Sequence, residues 1–198
     1  MKTIPVLLAA LLVPALASAN AVVGQSAPAF TLKDTEGKTV SLADYKGKTV
    51  VLEWHNFGCP FVVKHYGAGN MQALQKKYGA DVVWLTVNST NTGSRDYVEP
   101  AKVPPRLREY KAEPARYLMD DPGTVGRAYG AKTTPHMYII DSRGQVVYNG
   151  AIDDKRSTDP ADIKTSKNYV AAALDEMKAG KPVSVSSTVP YGCTVHYR

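Results

Sequence analysis

Cysteine is scarce in this chain: two among 198 residues, Cys59 and Cys193. Two cysteines exclude a small fold stapled by several disulfides. Their separation excludes a Cys-x-x-Cys pair, because the position three beyond Cys59 is Val62. Long apolar runs are also few. Past the first nineteen residues, no stretch approaches the ~20 apolar residues that a membrane-spanning helix needs. Charge of one sign is not concentrated either. The 24 Lys and Arg against 18 Asp and Glu give a formal net charge of +6, scattered apart from short clusters such as DDKR. That distribution argues against a nucleic-acid surface. No internal repeat or low-complexity segment is present.

What the sequence does contain starts with a leader. Lys2 precedes the apolar IPVLLAALLVPALA and the small-residue triplet Ala17-Ser18-Ala19. That is the layout of a secretory signal cut after Ala19, and Pro5 and Pro14 interrupt it as an anchor helix. The expectation is a periplasmic or secreted protein without stable membrane insertion once the signal is removed. There, two thiols of one chain tend to be oxidised to each other. The remaining length suits one domain, expected over 20–182, followed by an extended tail over 183–198 that carries Cys193.

Along that domain, FTLKDTEGKTVSL reads as a hairpin, and SLADYKG as a short helical turn between a Ser cap and Gly47. TVVLEW and DVVWLTVNS have the composition of buried central strands. CPFVVKHYGAGNMQALQKKYG has helical spacing, with a break expected at Gly67 and Gly69. The polar, proline-marked stretch from about 90 to 115 is expected to be an insertion holding a short helix. ARYLMDD is a further strand, GTVGRAYG a short helix, HMYIID and QVVYNGAID a second hairpin, and TSKNYVAAALDEMKAG an amphipathic helix.

Cys59 falls where strand gives way to helix, with Pro60 at the first helical position, where a missing N–H costs nothing. The unsatisfied amides and dipole of a helix start favour an anion. Lys64, His65 and His55 are candidates to add positive charge, and Gly58 suggests that the sulfur is exposed. The alternative is a cysteine that merely packs.

Three segments, taken in order and spacing, resemble the thioredoxin-fold redoxins: APAFTLKDTEGKTVSLADYKGKTVVLEW, GCPFVVKHY and MDDPGTVGRAYGAKTTPHMYIIDSRGQVVYNG. The resemblance is to their peroxiredoxin-like branch, in the alkyl hydroperoxide reductase/thiol-specific antioxidant superfamily, and covers about 22–180. It implies an α/β, thioredoxin-like fold: a mixed central sheet with helices on both faces and an N-terminal β-hairpin extension. It also implies a thiol-disulfide oxidoreductase or antioxidant whose nucleophile is Cys59, with no organic cofactor. Thr134 and Pro135 then form the cis-proline element facing an extended substrate. Glu53 is the candidate buried proton acceptor, and Trp54, Phe57 and Pro60 are candidates to line the substrate site. Cys193 becomes either the resolving thiol that Val62 cannot be, or half of a static bridge. The substrate is a protein or small-molecule disulfide or thiol, or a peroxide. Two positions depart from the peroxidase pattern: Asn56 stands where Thr or Ser is usual, and Leu52 where proline is usual. The alternatives are a thiol peroxidase, a Cu(I)-binding chaperone using Cys59, His55 and His136, and a non-catalytic binding module.

Overall fold

In the computed structural model, residues 20–197 are described; the expected leader lies outside them. Alternation of side chains along strands sets the architecture. The first hairpin pairs β1 (Thr31–Asp34) with β2 (Thr39–Ser41), and a 3-10 turn capped by Ser41 follows. TVVLEW forms β3 (Thr49–Trp54). Its Val50, Leu52 and Trp54 pack into one apolar core, while Val51 packs into another. The sheet therefore has two buried faces, as a near-continuous apolar strand requires.

The helical stretch after β3 breaks where the glycines indicated. It gives α1 (Pro60–Gly67) and α2 (Asn70–Tyr78), with Gly69 in the left-handed conformation between them. Next come β4 (Val82–Asn88), α3 (Val103–Tyr110) within the insertion, β5 (Arg116–Met119) and α4 (Thr124–Tyr129). The chain continues through β6 (Thr133–Thr134), β7 (His136–Ile140), β8 (Val146–Gly150), α5 (Tyr169–Lys178) and β9 (Cys193–Thr194).

Seven strands make one mixed sheet in the order β2-β1-β5-β4-β3-β7-β8. The pairs β3–β4 and β4–β5 are parallel and the others antiparallel. Residues of α1, α2 and α5 cover the face that includes Val51; Val125 and Tyr129 of α4 cover the face that includes Leu52. Among the described residues, no helix is long and apolar enough to cross a membrane.

The segment after α5 runs back along β8 through Asn149 and then pairs β9 with β6. It is tied to the domain at Ser186, Thr188, Tyr191, β9 and His196. Leu52, fully buried at the centre of β3, reports on core packing alone. Leu52→Ala is expected to destabilise by about 2–5 kcal/mol, read from urea or thermal unfolding.

Candidate active site

The turn that delivers Cys59 is built from side-chain and backbone hydrogen bonds. The N–H of Gly58 donates to Asn56 Oδ1 at 2.7 Å, and that of Cys59 to the Asn56 carbonyl at 3.1 Å. Asn56 Nδ2 reaches Thr90 Oγ1 at 2.8 Å, tying the turn to the segment after β4. Asn56 thus shapes this turn. Cys59 is the N-cap of α1 in an extended conformation, with Pro60 in the first turn, and its carbonyl accepts from Val63 at 2.9 Å. Its thiol does not cap the helix. It donates to the Thr134 carbonyl at 2.8 Å.

Thr134 precedes Pro135 across a cis peptide bond, and the sequence had singled out these two residues together. β9 lies against the same short strand, antiparallel, with Thr134 opposite Cys193 and Thr133 opposite Thr194. Residues 75 and 134 positions apart from Cys59 are thereby gathered at one point. Both thiols are free, and they line one small cavity with Asn56, Thr90, Asp96, Thr134 and the tail residues 194–196. The expectation of an accessible sulfur needs correction. Cys59 is 2% exposed, because this chain's own tail roofs the turn.

Cys193 is half-buried and lines the same small cavity as Cys59. Burial pushes its thiol well above the usual range; the hydrogen bond to Cys59, then the negative charge of Cys59 and of Asp96, push in the same direction. Cys193 is therefore a thiol that holds its proton more tightly than in water.

Beneath this site, Glu53 is fully buried. The Tyr66 hydroxyl on α1 donates across both carboxyl oxygens at 2.9 Å, and Trp84 Nε1 on β4 donates to Oε2 at 2.8 Å. Tyr66, Trp84 and Cys59 belong to one packed cluster. Burial raises the Glu53 carboxyl to about 7, and the two hydrogen bonds oppose that rise.

The structure places the other expected site residues differently. Trp54 is a core residue, 0% exposed, packed on Tyr129 and Tyr138 on the face away from Glu53, with Nε1 donating to Ser89. Phe57 is 5% exposed and stacks on Tyr110 and Tyr117, with the Arg106 guanidinium over its ring. Neither forms a lip, because flanking aromatic rings seal both. Pro60 is exposed and borders an apolar hollow with Val63, Ala68 and Pro160.

The expected positive charges are also absent from the sulfur. Burial lowers His55 to about 3 and His65 to about 4, so both are neutral at pH 7. Lys64 is buried and spends its ammonium on the Lys155 carbonyl at 3.1 Å. His136 Nε2 donates to Asn149 Oδ1 at 2.8 Å, and Nδ1 accepts from the Lys132 amide at 3.2 Å. Among the described residues, no group of three or more His, Cys, Asp or Glu is placed to hold a metal ion. The set Cys59, His55 and His136 is not brought together as one.

Sequence reasoning missed Gly192 and Tyr191. Gly192 has φ +139°, and a Cβ there would collide with the Thr134 carbonyl oxygen. The missed signal is a repeat: FGC at the turn and YGC in the tail both set an aromatic and a glycine before the cysteine.

Glu53 gives this site a pH signature. Its folded value lies above the ordinary 4.5, so the unfolded chain loses this proton first as pH rises. Stability is expected to fall between about pH 4.5 and 7, by on the order of 3 kcal/mol from this group. Urea unfolding of Glu53→Gln across that range should lack this slope.

Comparison with known proteins agrees with this geometry. The family profile described as Redoxin matches residues 22–167. The chain is 27% identical over 126 residues to the thiol-disulfide oxidoreductase ResA of Bacillus thuringiensis subsp. konkukian, covering 63% of this chain and 67% of that protein. It is 30% identical over 140 residues to the chloroplastic peroxiredoxin Q of Suaeda salsa, covering 69% of this chain and 64% of that protein. The chain thus spans about two thirds of these curated relatives. The crystal structure of an uncharacterized conserved protein from Geobacillus kaustophilus superposes with a TM-score of 0.74 at 28% identity, covering 90% of this chain and 93% of that one. The chain belongs to the redoxin family of thioredoxin-fold, thiol-dependent oxidoreductases.

Proposed function

We propose that this protein is an exported thiol-disulfide oxidoreductase in which Cys59 attacks and Cys193 resolves. The observation that carries the reading is the convergence on Thr134. Its carbonyl accepts the Cys59 thiol at 2.8 Å, and Cys193 is its partner across the β6–β9 pair. Export rests on the signal-like pattern of residues 1–19.

The electron flow follows from thiol exchange. The Cys59 thiolate attacks a substrate disulfide, forms a mixed disulfide and releases one substrate thiol. Cys193 then gives up its proton and attacks the Cys59 sulfur. The Cys59–Cys193 disulfide forms and the second substrate thiol leaves. Two electrons have passed to the substrate, and an external dithiol must return them before another turnover. Glu53, hydrogen-bonded to Tyr66 and Trp84 of the cluster that holds Cys59 and raised to about 7, is suited to take and return a proton near neutral pH.

The same pair suits a second reading, peroxide reduction. The space at the sulfurs is about 30 Å³, on the scale of a peroxide rather than a polypeptide. There the Cys59 thiolate would break the O–O bond, taking one peroxide oxygen as a sulfenic acid and releasing the other as water, and Cys193 would condense with it to expel a second water and form the Cys59–Cys193 disulfide. Asn56 and Leu52, at the two divergent positions, favour the disulfide reading.

The test is reduction of an aromatic disulfide by the pre-reduced protein, with hydrogen peroxide consumption measured in parallel. Cys59→Ser is expected to abolish turnover. Cys193→Ser should stop after the first step and leave a mixed disulfide at Cys59, visible by mass spectrometry. A Cys193→Ser protein that turns over at the wild-type rate would remove Cys193 from the mechanism. Peroxide consumption without disulfide reduction would select the second reading.

A further inference from the structure

We propose that Tyr191, Asp153 and His65 form a latch holding Cys193 at the Thr134 edge, and that its release opens this edge to an extended, cysteine-bearing polypeptide. This rests on the reading of Cys59 and Cys193 above and adds a choice of partner. The tail strand β9 uses the Thr133–Thr134 segment for its own pairing, and a polypeptide docking in extended form at Thr134 needs that segment. The two occupants exclude each other. With the tail seated, Cys59 is buried and the remaining space excludes a chain of residues.

The latch lies immediately upstream of Cys193. Tyr191 is 2% exposed, with its ring on Phe61 of α1. Its hydroxyl donates to Asp153 Oδ1 and stands 3.1 Å from His65 Nε2. Asn70 Nδ2 reaches His65 Nδ1 at 2.9 Å. With the Asn70 amide nitrogen toward Nδ1 and the Tyr191 hydroxyl donating to Asp153, the remaining proton is placed. The Asn70 amide donates to Nδ1, the neutral imidazole donates from Nε2 to the Tyr191 oxygen, and the Tyr191 hydroxyl donates to Asp153. His65 Nε2 and Asp153 Oδ2, 4.0 Å apart, are not themselves hydrogen-bonded, so Tyr191 is the link between them. Removing it leaves two buried polar groups without that partner.

The arrangement ties the tail to the helix whose start carries the nucleophile, since His65 and Phe61 are both on α1. Gly192 then lets the chain pass against the Thr134 carbonyl, where any Cβ would collide. Downstream, the Asn91 amide donates to the His196 carbonyl and the Val195 amide to the Lys132 carbonyl. Tyr191 is thus a positioning residue. It sets how much of the time Cys193 is within reach of Cys59, which is the effective concentration of the resolving thiol.

Latching predicts two rate changes of opposite sign. In a Cys193→Ser background, adding Tyr191→Phe should speed iodoacetamide alkylation of Cys59 about tenfold or more. Mixed-disulfide formation with the peptide VPYGCTVH, carrying thionitrobenzoate on its cysteine, should rise alike. With Cys193 present, Tyr191→Phe should slow by a similar factor the attack of Cys193 on that peptide mixed disulfide, which closes the Cys59–Cys193 disulfide and releases the peptide thiol. Gly192→Ala, which leaves the three latch side chains intact, should produce the same opposed changes. Unchanged alkylation in both variants, or closure as fast as in the wild type, overturns the latch. Alkylation requires no catalysis, so its outcome is independent of whether the intact protein reduces disulfides.

Discussion

A single carbonyl organises the site. Thr134 O accepts the Cys59 thiol, and the residue that carries it is paired with Cys193. Bringing these groups together requires the end of β3, the start of α1, the residues before β7 and the C-terminal segment. Each arrives from a different part of the sequence, so the site exists only when the sheet is complete. The parallel β3–β4 register supplies the rigid base. It places Glu53 opposite Thr86 and Trp54 opposite Val87, and the next amide, that of His55, donates to the Val87 carbonyl. From there the Asn56 turn has little freedom.

The electrostatics of the site come from backbone and burial, not from cationic side chains. The nearby histidines are neutral because burial penalises their charged forms, and the Lys64 ammonium is bonded to a main-chain carbonyl. Burial also raises Glu53 and Cys193, so both groups hold their protons more tightly than in water.

Much of this was legible in the sequence. The β-branched run of TVVLEW, the glycines that divide α1 from α2, Pro60 after Cys59 and the Thr-Pro pair each act through local geometry, and local geometry can be read from neighbours. The failures are of another kind. Trp54 and Phe57 flank an active-site turn in sequence, but which way an aromatic residue faces depends on Tyr129, Tyr138, Tyr110 and Tyr117, all from distant elements. Tyr191 and Asp153 meet across 38 positions and have no local signature. The burial of Cys59 was hidden for the same reason: the roof over it comes from the far end of the chain.

Helical periodicity explains how so much converges on α1. Val62 and Tyr66 follow Cys59 at spacings of three and seven, which places all three toward one cluster, and Tyr66 carries its hydroxyl to Glu53. His65, one position earlier, turns toward the tail and meets Tyr191. One short helix thus starts at Cys59, bonds the buried Glu53 of β3 through Tyr66 and meets the tail through His65. Because Val62, Tyr66, Met71 and Leu74 pack in the same core, that helix cannot shift without disturbing α2 and the sheet. The tail is anchored on both sides of β9: Tyr191 and Cys193 pack against this core, Val195 and Tyr197 against the other, and the β6–β9 pair lies between them. The latch proposed above therefore sits on the tail's α1 side, where the Tyr191 hydroxyl meets Asp153 and His65, while Val195 and Tyr197 hold its other side to α4 and the sheet.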